Sequence, residues 1–328
     1  MTKGARGPAP PDALVSMLEA RTVALVGASP REGSFGHRLV TEVSKSTAPL
    51  DIHLVNPRYD EVLGRRCVAS LDEVPAPVDL VLLGVPDAAL ETELGRAAAR
   101  GDAGAVIFGS VHVPFPGDGL RARLAELARD AGMALCGGGC MGFVNVVHGL
   151  RAVGYVEPDP LPAGPVALVS HSGSAFSALL RTNRRIGFTL AVSSGQELVT
   201  TAADYLPYAL DLPGTGLVAL LLETLRAPDA LRAALARAAE QDVAVVALTV
   251  GGSPTGRRMV SAHSGALAGD DGVWEALFDA FGVVRVSDLD EMLDTLELFS
   301  AGRRATPGGS MRAMIAGLRQ RAGFPLAQ

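Results

Sequence analysis

In Val23-Ala24-Leu25-Val26-Gly27-Ala28-Ser29-Pro30-Arg31-Glu32-Gly33-Ser34-Phe35-Gly36, four apolar residues run without polar alternation into a turn of small residues. Such a run reads as a strand buried on both faces, and the turn leads into a helix. A strand, a Gly-rich turn and a helix N-terminus together offer free N–H groups and the positive end of a helix dipole, which is an anion site. Gly27, Ser29 and Gly36 are its candidate backbone donors. The pattern is not G-x-G-x-x-G, because position 29 is serine and the loop is longer. The following apolar run ends in Val55-Asn56-Pro57-Arg58. Dinucleotide folds that take NAD place an acidic residue there for the ribose. A basic residue favours a ribose that carries phosphate, as in NADP or in the 3′-phosphate of coenzyme A. No hydride-transfer constellation accompanies the turn, so an NADP-linked dehydrogenase is set aside.

Outward from this turn the same alternation repeats. Short apolar runs occupy 22–27, 51–56, 78–85, 103–109 and 133–136, with Ala/Leu/Arg/Glu stretches of helical spacing at 87–100 and 119–131. Strands alternating with helices imply βαβ units and a parallel sheet. After a Gly- and Pro-rich hinge at 137–164 the alternation restarts, with runs at 165–170, 188–194, 216–222, 243–250 and 283–286. Helices fit at 174–185, 228–241, 273–281 and 288–299. The expectation is α/β with two sequential doubly wound parallel sheets. A mobile tail over 1–12 precedes a first domain at 13–148. A second domain at 155–300 is followed by a linker and the start of a third unit at 301–328.

The 328 residues suit two domains, and 48% apolar against 20% charged residues exclude global disorder. Mean hydropathy is +0.28. The net charge of −6 is spread without a basic face, which argues against nucleic acid as a partner. No apolar run reaches the roughly 18 residues a membrane span needs. The start of the chain has no hydrophobic core region and is not a signal peptide. Three cysteines, Cys67, Cys136 and Cys140, are an odd and sparse set that suits a reducing cytosol. Cys136 and Cys140 have no second Cys/His pair to complete a zinc site, so no metal is expected.

Two further clusters carry chemistry. The second domain opens with Val169-Ser170-His171-Ser172-Gly173-Ser174, again small and hydroxyl residues at a strand-to-helix junction. Ser172, Gly173 and Ser174 are candidate phosphate ligands there. The second cluster is Ser261-Ala262-His263-Ser264-Gly265-Ala266-Leu267-Ala268-Gly269. Neutral imidazole is a good nucleophile near neutral pH and can carry a phosphoryl group. Glu223, after the apolar run 216–222, is placed to hold the second ring N–H. Local chemistry does not choose between His171 and His263, because Ser-Gly follows each. Context favours His263: a loop of small side chains leaves room for a phosphoimidazole to swing, whereas His171 would line a phosphate pocket. Asp204 reads as an acid at a helix N-terminus.

Taken in order, these residues resemble the α-type part of the ADP-forming (NDP-forming) acyl-CoA synthetases, related to the succinyl-CoA synthetase α chain. Gly27-Ala28-Ser29 with Asn56-Pro57-Arg58-Tyr59 resembles a Rossmann-like CoA-binding domain, as does the later block Asp79–Pro86. His171–Ser174 and Ser193-Ser194-Gly195-Gln196-Glu197 resemble the flavodoxin-like ligase domain. Arg257-Arg258 followed by Ala262–Gly269 resembles the phosphohistidine loop. The resemblance covers about residues 20 to 300. It implies that the chain binds CoA and acts on a small carboxylic acid or its acyl-CoA. It further implies a phosphoryl relay through His263, supported by Glu223, between an acyl phosphate and a nucleotide. ATP or ADP and Mg would be bound only by a separate β-type ATP-grasp partner, so the chain alone would be inactive. It also departs from the family, which usually reads Gly-Pro-Asn-Cys where this chain has Gly137-Gly138-Gly139-Cys140. That departure and the missing nucleotide domains keep open a non-catalytic CoA-binding or regulatory protein, or a truncated form of a fused synthetase.

Overall fold

The computed structural model describes residues 11–111, 119–250 and 271–301. After the helix α1 (Pro11–Leu18), strand β1 (Thr22–Val26) enters the Gly-rich turn, and α2 (Phe35–Ser44) leaves it. Ser34 caps α2 by accepting the His37 N–H at 3.2 Å. The chain continues through β2 (Asp51–Val55), the hairpin β3 (Glu61–Val62) and β4 (Arg65–Val68), β5 (Leu80–Leu83), α3 (Asp87–Arg100), β6 (Gly104–Ile107), α4 (Leu120–Asp130) and β7 (Ala134–Gly137). The sheet order is β3-β4-β2-β1-β5-β6-β7, parallel except for β3. Order reverses at β1, so its C-terminal end, the Gly-rich turn, lies at the switch point where open α/β sheets bind ligands.

The second sheet contains β10 (Ala163–Ser170), β11 (Phe188–Ser193), β12 (Leu217–Leu222), β13 (Ala244–Thr249) and β14 (Val284–Val286). Its parallel core runs β14-β13-β12-β10-β11. Helices α5 (Gly173–Leu180), α6 (Ala202–Asp211) and α7 (Pro228–Glu240) flank it, with two more at Asp271–Ala280 and Leu289–Ser300. The central strands are buried along their whole length, as continuous apolar runs require. Asp204 sits in the first turn of α6, where its carboxylate accepts the Thr201 N–H at 2.8 Å.

The stretch 137–164, expected to be a hinge, is instead structured. It forms β8 (Gly142–Asn145) and β9 (Leu150–Val153), which add to β11 as an antiparallel hairpin of the second sheet. The expected limits put Gly142–Asn145 in the first domain and left Leu150–Val153 between the two; hydrogen bonding assigns both strands to the second sheet. These four-residue strands are too short, and too rich in flanking glycine, to show a period in the sequence.

This hairpin also joins the two sheets. Arg151 of β9 is buried against Glu42 of α2, with Nη2 at 2.7 Å from Oε2 and the side chains 6% and 1% exposed. The Arg151 N–H donates to Ser46 Oγ at 2.9 Å, and Ala48 N–H to Gly149 O at 3.0 Å. Asn145 Nδ2 donates to Leu18 O and to the Tyr208 hydroxyl, each at 2.9 Å. The segment after β11 returns to the β7 edge, where Leu198 and Thr200 N–H groups donate to Gly137 O and Leu135 O. One apolar cluster accordingly includes Leu25, Leu82 and Val106 with Val169, Leu190 and Leu220.

Removing one partner of a buried ion pair leaves an uncompensated charge, at a cost of about 3–5 kcal/mol. Glu42→Ala, which strips buried Arg151 of its close carboxylate, is expected to lose about that much in urea denaturation, and Arg151→Ala less, because Lys45 Nζ still lies 2.6 Å from Glu42 Oε1. The apolar pair Glu42→Leu with Arg151→Met should lose far less. Single variants within about 0.5 kcal/mol of the parent would show that the pair does not hold the two sheets together.

Candidate functional site

The Gly-rich turn is shaped by close backbone approach. Gly27 has φ +94°, and a Cβ there would collide with the backbone of Gly84 at the end of β5. A Cβ on Gly36 would collide with Gly27 O, so the first turn of α2 lies directly against the loop. Ser29 Oγ accepts the Arg31 N–H at 3.2 Å. Asn56, at the end of β2, donates from Nδ2 to Ala28 O at 2.7 Å and accepts the Arg58 N–H on Oδ1 at 3.0 Å. Gly27, Ser29, Gly36, Asn56 and Arg58 are thus gathered at the C-terminal ends of β1 and β2. The Arg58 side chain is exposed and forms no ion pair among the described residues. A glycine cradle with one free guanidinium fits a phosphate-bearing nucleotide.

Behind the turn, Phe35 is the first residue of α2. Its ring packs on Phe108 at 5.2 Å and edge-on against Tyr155 at 5.6 Å. Phe108 and Tyr155 form part of the wall of a cleft of about 270 Å³ between the two sheets. Met141, Cys140, Gly139, His171, Gln196 and Glu223 also line it. Glu223 and His171 therefore share one cavity, which the aromatic trio connects to the Gly-rich turn.

His171 is hydrogen-bonded on one side and faces a carboxylate on the other. Its Nδ1 accepts the Glu223 backbone N–H at 3.1 Å, which leaves the ring proton on Nε2. Nε2 lies 3.0 Å from Glu197 Oε1, outside hydrogen-bond geometry. Glu197 Oε1 meanwhile accepts Ser194 Oγ at 3.0 Å and the Ala202 N–H of α6 at 2.7 Å. Beside them, Ser172 caps α5, accepting the Ala175 N–H at 3.3 Å and lying 3.1 Å from Ser174 Oγ. Gly173 is packed against Met141, which brings the α5 N-terminus to the cleft wall. His263 and the rest of Ser261–Gly269 lie outside the described residues.

Gln196, Glu197, Phe108, Met141 and Tyr155 had no assigned role in the sequence. Glu197 has φ +52°, and its signal in the sequence is its place at the end of the block Ser193-Ser194-Gly195-Gln196-Glu197 that carries the resemblance. Gln196 Nε2 donates to Ser110 O at 2.6 Å, while its Oε1 is buried with no hydrogen-bond partner among the described residues. Cys67, Cys136 and Cys140 are free and buried. Among the described residues no cluster of three or more His, Cys, Asp or Glu side chains could hold a metal. None of the described helices is long and apolar enough to cross a membrane.

Burial pushes the Cys140 thiol well above its ordinary value, and neighbouring Cys136 adds to this. Burial does the same to the Tyr205 hydroxyl, again with Cys136 adding to it. The folded state therefore resists ionisation that the unfolded chain undergoes from about pH 8.5 for thiols and about 10 for phenols. The stability that these two groups contribute is full below about pH 8.5 and is lost as pH rises. The urea midpoint is expected to hold between pH 7 and 8 and to drop by pH 10. Cys140→Ala with Tyr205→Phe should flatten that drop; an alkaline loss of equal size in the double variant would contradict the cause.

Known families match both halves of the chain. The family described as "CoA binding domain" matches residues 21–146, and "Succinyl-CoA ligase like flavodoxin domain" matches residues 163–299. Acetate–CoA ligase [ADP-forming] of Methanocaldococcus jannaschii is 30% identical over 282 residues, which are 85% of this chain and 39% of that protein. The α subunit of acetate–CoA ligase [ADP-forming] II of Pyrococcus furiosus is 28% identical over 285 residues, 85% of this chain and 61% of the subunit. The chain thus spans less than two thirds of these relatives. In fold it is similar to dinucleotide forming acetyl-coenzyme A synthetase 1 of Ca. Korarchaeum cryptofilum. There the TM-score is 0.79 and the identity 23%, over 88% of this chain and 62% of that one.

Proposed function

The chain belongs, by its CoA-binding domain and its succinyl-CoA-ligase-like flavodoxin domain, with the α-like part of the ADP-forming acyl-CoA ligases, and from that premise we propose that the cleft between the two sheets is where a CoA thioester reacts. The observation that carries this is the aromatic contact of Phe35 with Phe108 and Tyr155. It links the turn suited to the nucleotide end of CoA with the cavity that holds Glu223 and opens beside the α5 N-terminus. CoA would lie with its phosphates against Gly27, Ser29 and Gly36. Arg58 would meet the ribose phosphate and Asn56 would hold the turn in shape.

In this reading phosphate displaces CoA from the thioester and an acyl phosphate forms. His263 then attacks phosphorus: the N–P bond forms, the P–O bond to the acyl group breaks, and the carboxylate leaves. Glu223 supports the imidazole, as carboxylates do beside other catalytic histidines. Ser172, Gly173 and Ser174 at the α5 N-terminus stabilise the phosphoryl charge. In this reading a β-type ATP-grasp partner would hold ADP and Mg and take the phosphoryl group from His263. Support for a partner comes from the Pyrococcus relative, itself an α subunit. Support for His263 over His171 comes from the ring of His171, whose Nδ1 lone pair is taken by the Glu223 N–H and whose Nε2 faces Glu197. Such a ring has no free lone pair to attack with. A second reading, CoA binding without turnover, is favoured by Gly139 standing where the resemblance expects asparagine.

Arg58→Ala should weaken CoA by about 1–3 kcal/mol in calorimetry, through loss of a charge-assisted bond. Tighter NADP than CoA binding would reject the nucleotide assignment. With labelled phosphate, an acyl-CoA and the parent chain, an acid-labile, base-stable label should form and should be absent in His263→Ala. A label that survives His263→Ala but is lost in His171→Ala would move the nucleophile. No label at all, with CoA still bound, would favour the second reading.

A further inference from the structure

We propose that a cavity at the β2–β4 side of the first sheet binds a nucleoside monophosphate, with the phosphate on Arg65 and Arg66, the ribose at Glu73 and the base against Val74 and Pro75. The site is separate from the Gly-rich turn and from the cleft, and it does not depend on the thioester reading. The cavity measures about 400 Å³, against about 270 Å³ for the cleft, and shares no lining residue with it. None of Gly27, Ser29, Gly36, Asn56 and Arg58 lines it. Its volume falls in the range of small-molecule sites.

Both walls are fixed by the fold. One is the strand wall, where Ile52, His53 and Leu54 of β2 lie beside Arg65, Arg66 and Val68 of β4. The two strands pair in parallel, Leu54 with Cys67 and Val55 with Val68. The other wall is Glu73-Val74-Pro75, at the end of the 3₁₀ turn Leu71–Glu73 on the way to β5. Arg100 of α3 holds this segment, donating from Nη1 to Val74 O at 2.8 Å and from Nη2 to Ala76 O. Arg100 is itself paired with buried Asp102, its Nε lying 3.3 Å from Oδ2. Walls held in this way lose little freedom when a ligand settles against them.

Three charges on these walls are left uncompensated. Arg65, Arg66 and Glu73 form no ion pair among the described residues, although all three border one cavity. Arg66 stands opposite Glu61 in the β3–β4 pairing, a register that sets both side chains on one face of the sheet. They do not pair there; Arg66 lines the cavity and Glu61 does not. Arginines beside a carboxylate they do not reach suit a molecule that spans the gap, anionic at one end and a hydrogen-bond donor at the other. Guanidinium groups match phosphate oxygens in geometry and charge. A phosphate monoester carries about −1.5 to −2 at pH 7, which two arginines balance, whereas a di- or triphosphate would exceed them. An ionised carboxylate only accepts, so Glu73 suits the hydroxyls of a ribose. Ile52, Leu54, Val68, Val74 and Pro75 offer apolar surface for a base, with the half-buried His53 imidazole beside them. Phosphate alone, or a small amino acid, would leave most of the volume empty.

The test is calorimetry on the full chain with AMP, ribose 5-phosphate, adenosine and inorganic phosphate, and with AMP again in the presence of CoA. AMP should bind more tightly than each of the three fragments, and CoA should not displace it. Arg65→Ala with Arg66→Ala should weaken AMP by about tenfold or more, as loss of charge-assisted hydrogen bonds implies, and Glu73→Gln should weaken it less. Both arginines are exposed, and the thermal midpoint reports whether the double variant is folded. No binding of AMP would overturn the inference. So would ribose 5-phosphate or inorganic phosphate binding as tightly as AMP, or full AMP affinity in the folded double variant. Displacement of AMP by CoA, or its loss in Arg58→Ala, would place AMP at the Gly-rich turn and overturn the inference as well. Failure to bind CoA bears on the thioester reading alone.

Discussion

The buried pairing of Glu42 with Arg151 is the constraint on which the site depends. Two charges out of water need each other and further hydrogen bonds to be tolerated. Arg151 obtains them from Glu42 Oε2, Pro158 O and Glu157 O. Glu157 in turn accepts from Ser177 of α5 and from Arg181 just beyond it. One connected network thus runs from the helix after the Gly-rich turn, through the added hairpin, to the helix whose N-terminus meets the cleft. A shift at any member would move the turn relative to the cavity, and both ends of a CoA thioester would no longer be served together.

Inside the cleft the same economy of polar groups applies. Glu197 serves α6, Ser194 and the face of His171 at once. His171 uses its Nδ1 to fix the backbone of Glu223. Glu223 therefore reaches the cavity from a strand end that is held in place. Phe35 performs the matching task on the apolar side, as the residue that leaves the Gly-rich turn and braces the aromatic wall.

Much of this was legible in the sequence. Parallel strands buried on both faces show as unbroken apolar runs, so β1, β5, β10 and β12 stand out, and the turn after β1 announces itself through Gly27, Ser29 and Gly36. The hairpin β8–β9 was not legible, because each strand has four residues and Arg151 looks like a surface charge until its partner, 109 residues earlier, is brought beside it. The site was half legible. Ser172, Gly173, Ser174 and Glu223 sit at strand and helix ends that sequence can locate. Phe108, Met141 and Tyr155 are ordinary apolar residues in sequence, and only the meeting of the two sheets makes them a wall.

The measurement that bears most directly on the central claim is hydrogen exchange of the full chain with and without CoA. If the cleft and the Gly-rich turn form one CoA site, protection should rise together at residues 27–36 and 56–58 and at residues 139–141, 171–175 and 223. Protection at the turn alone, or in neither region, would contradict a thioester site spanning the two sheets.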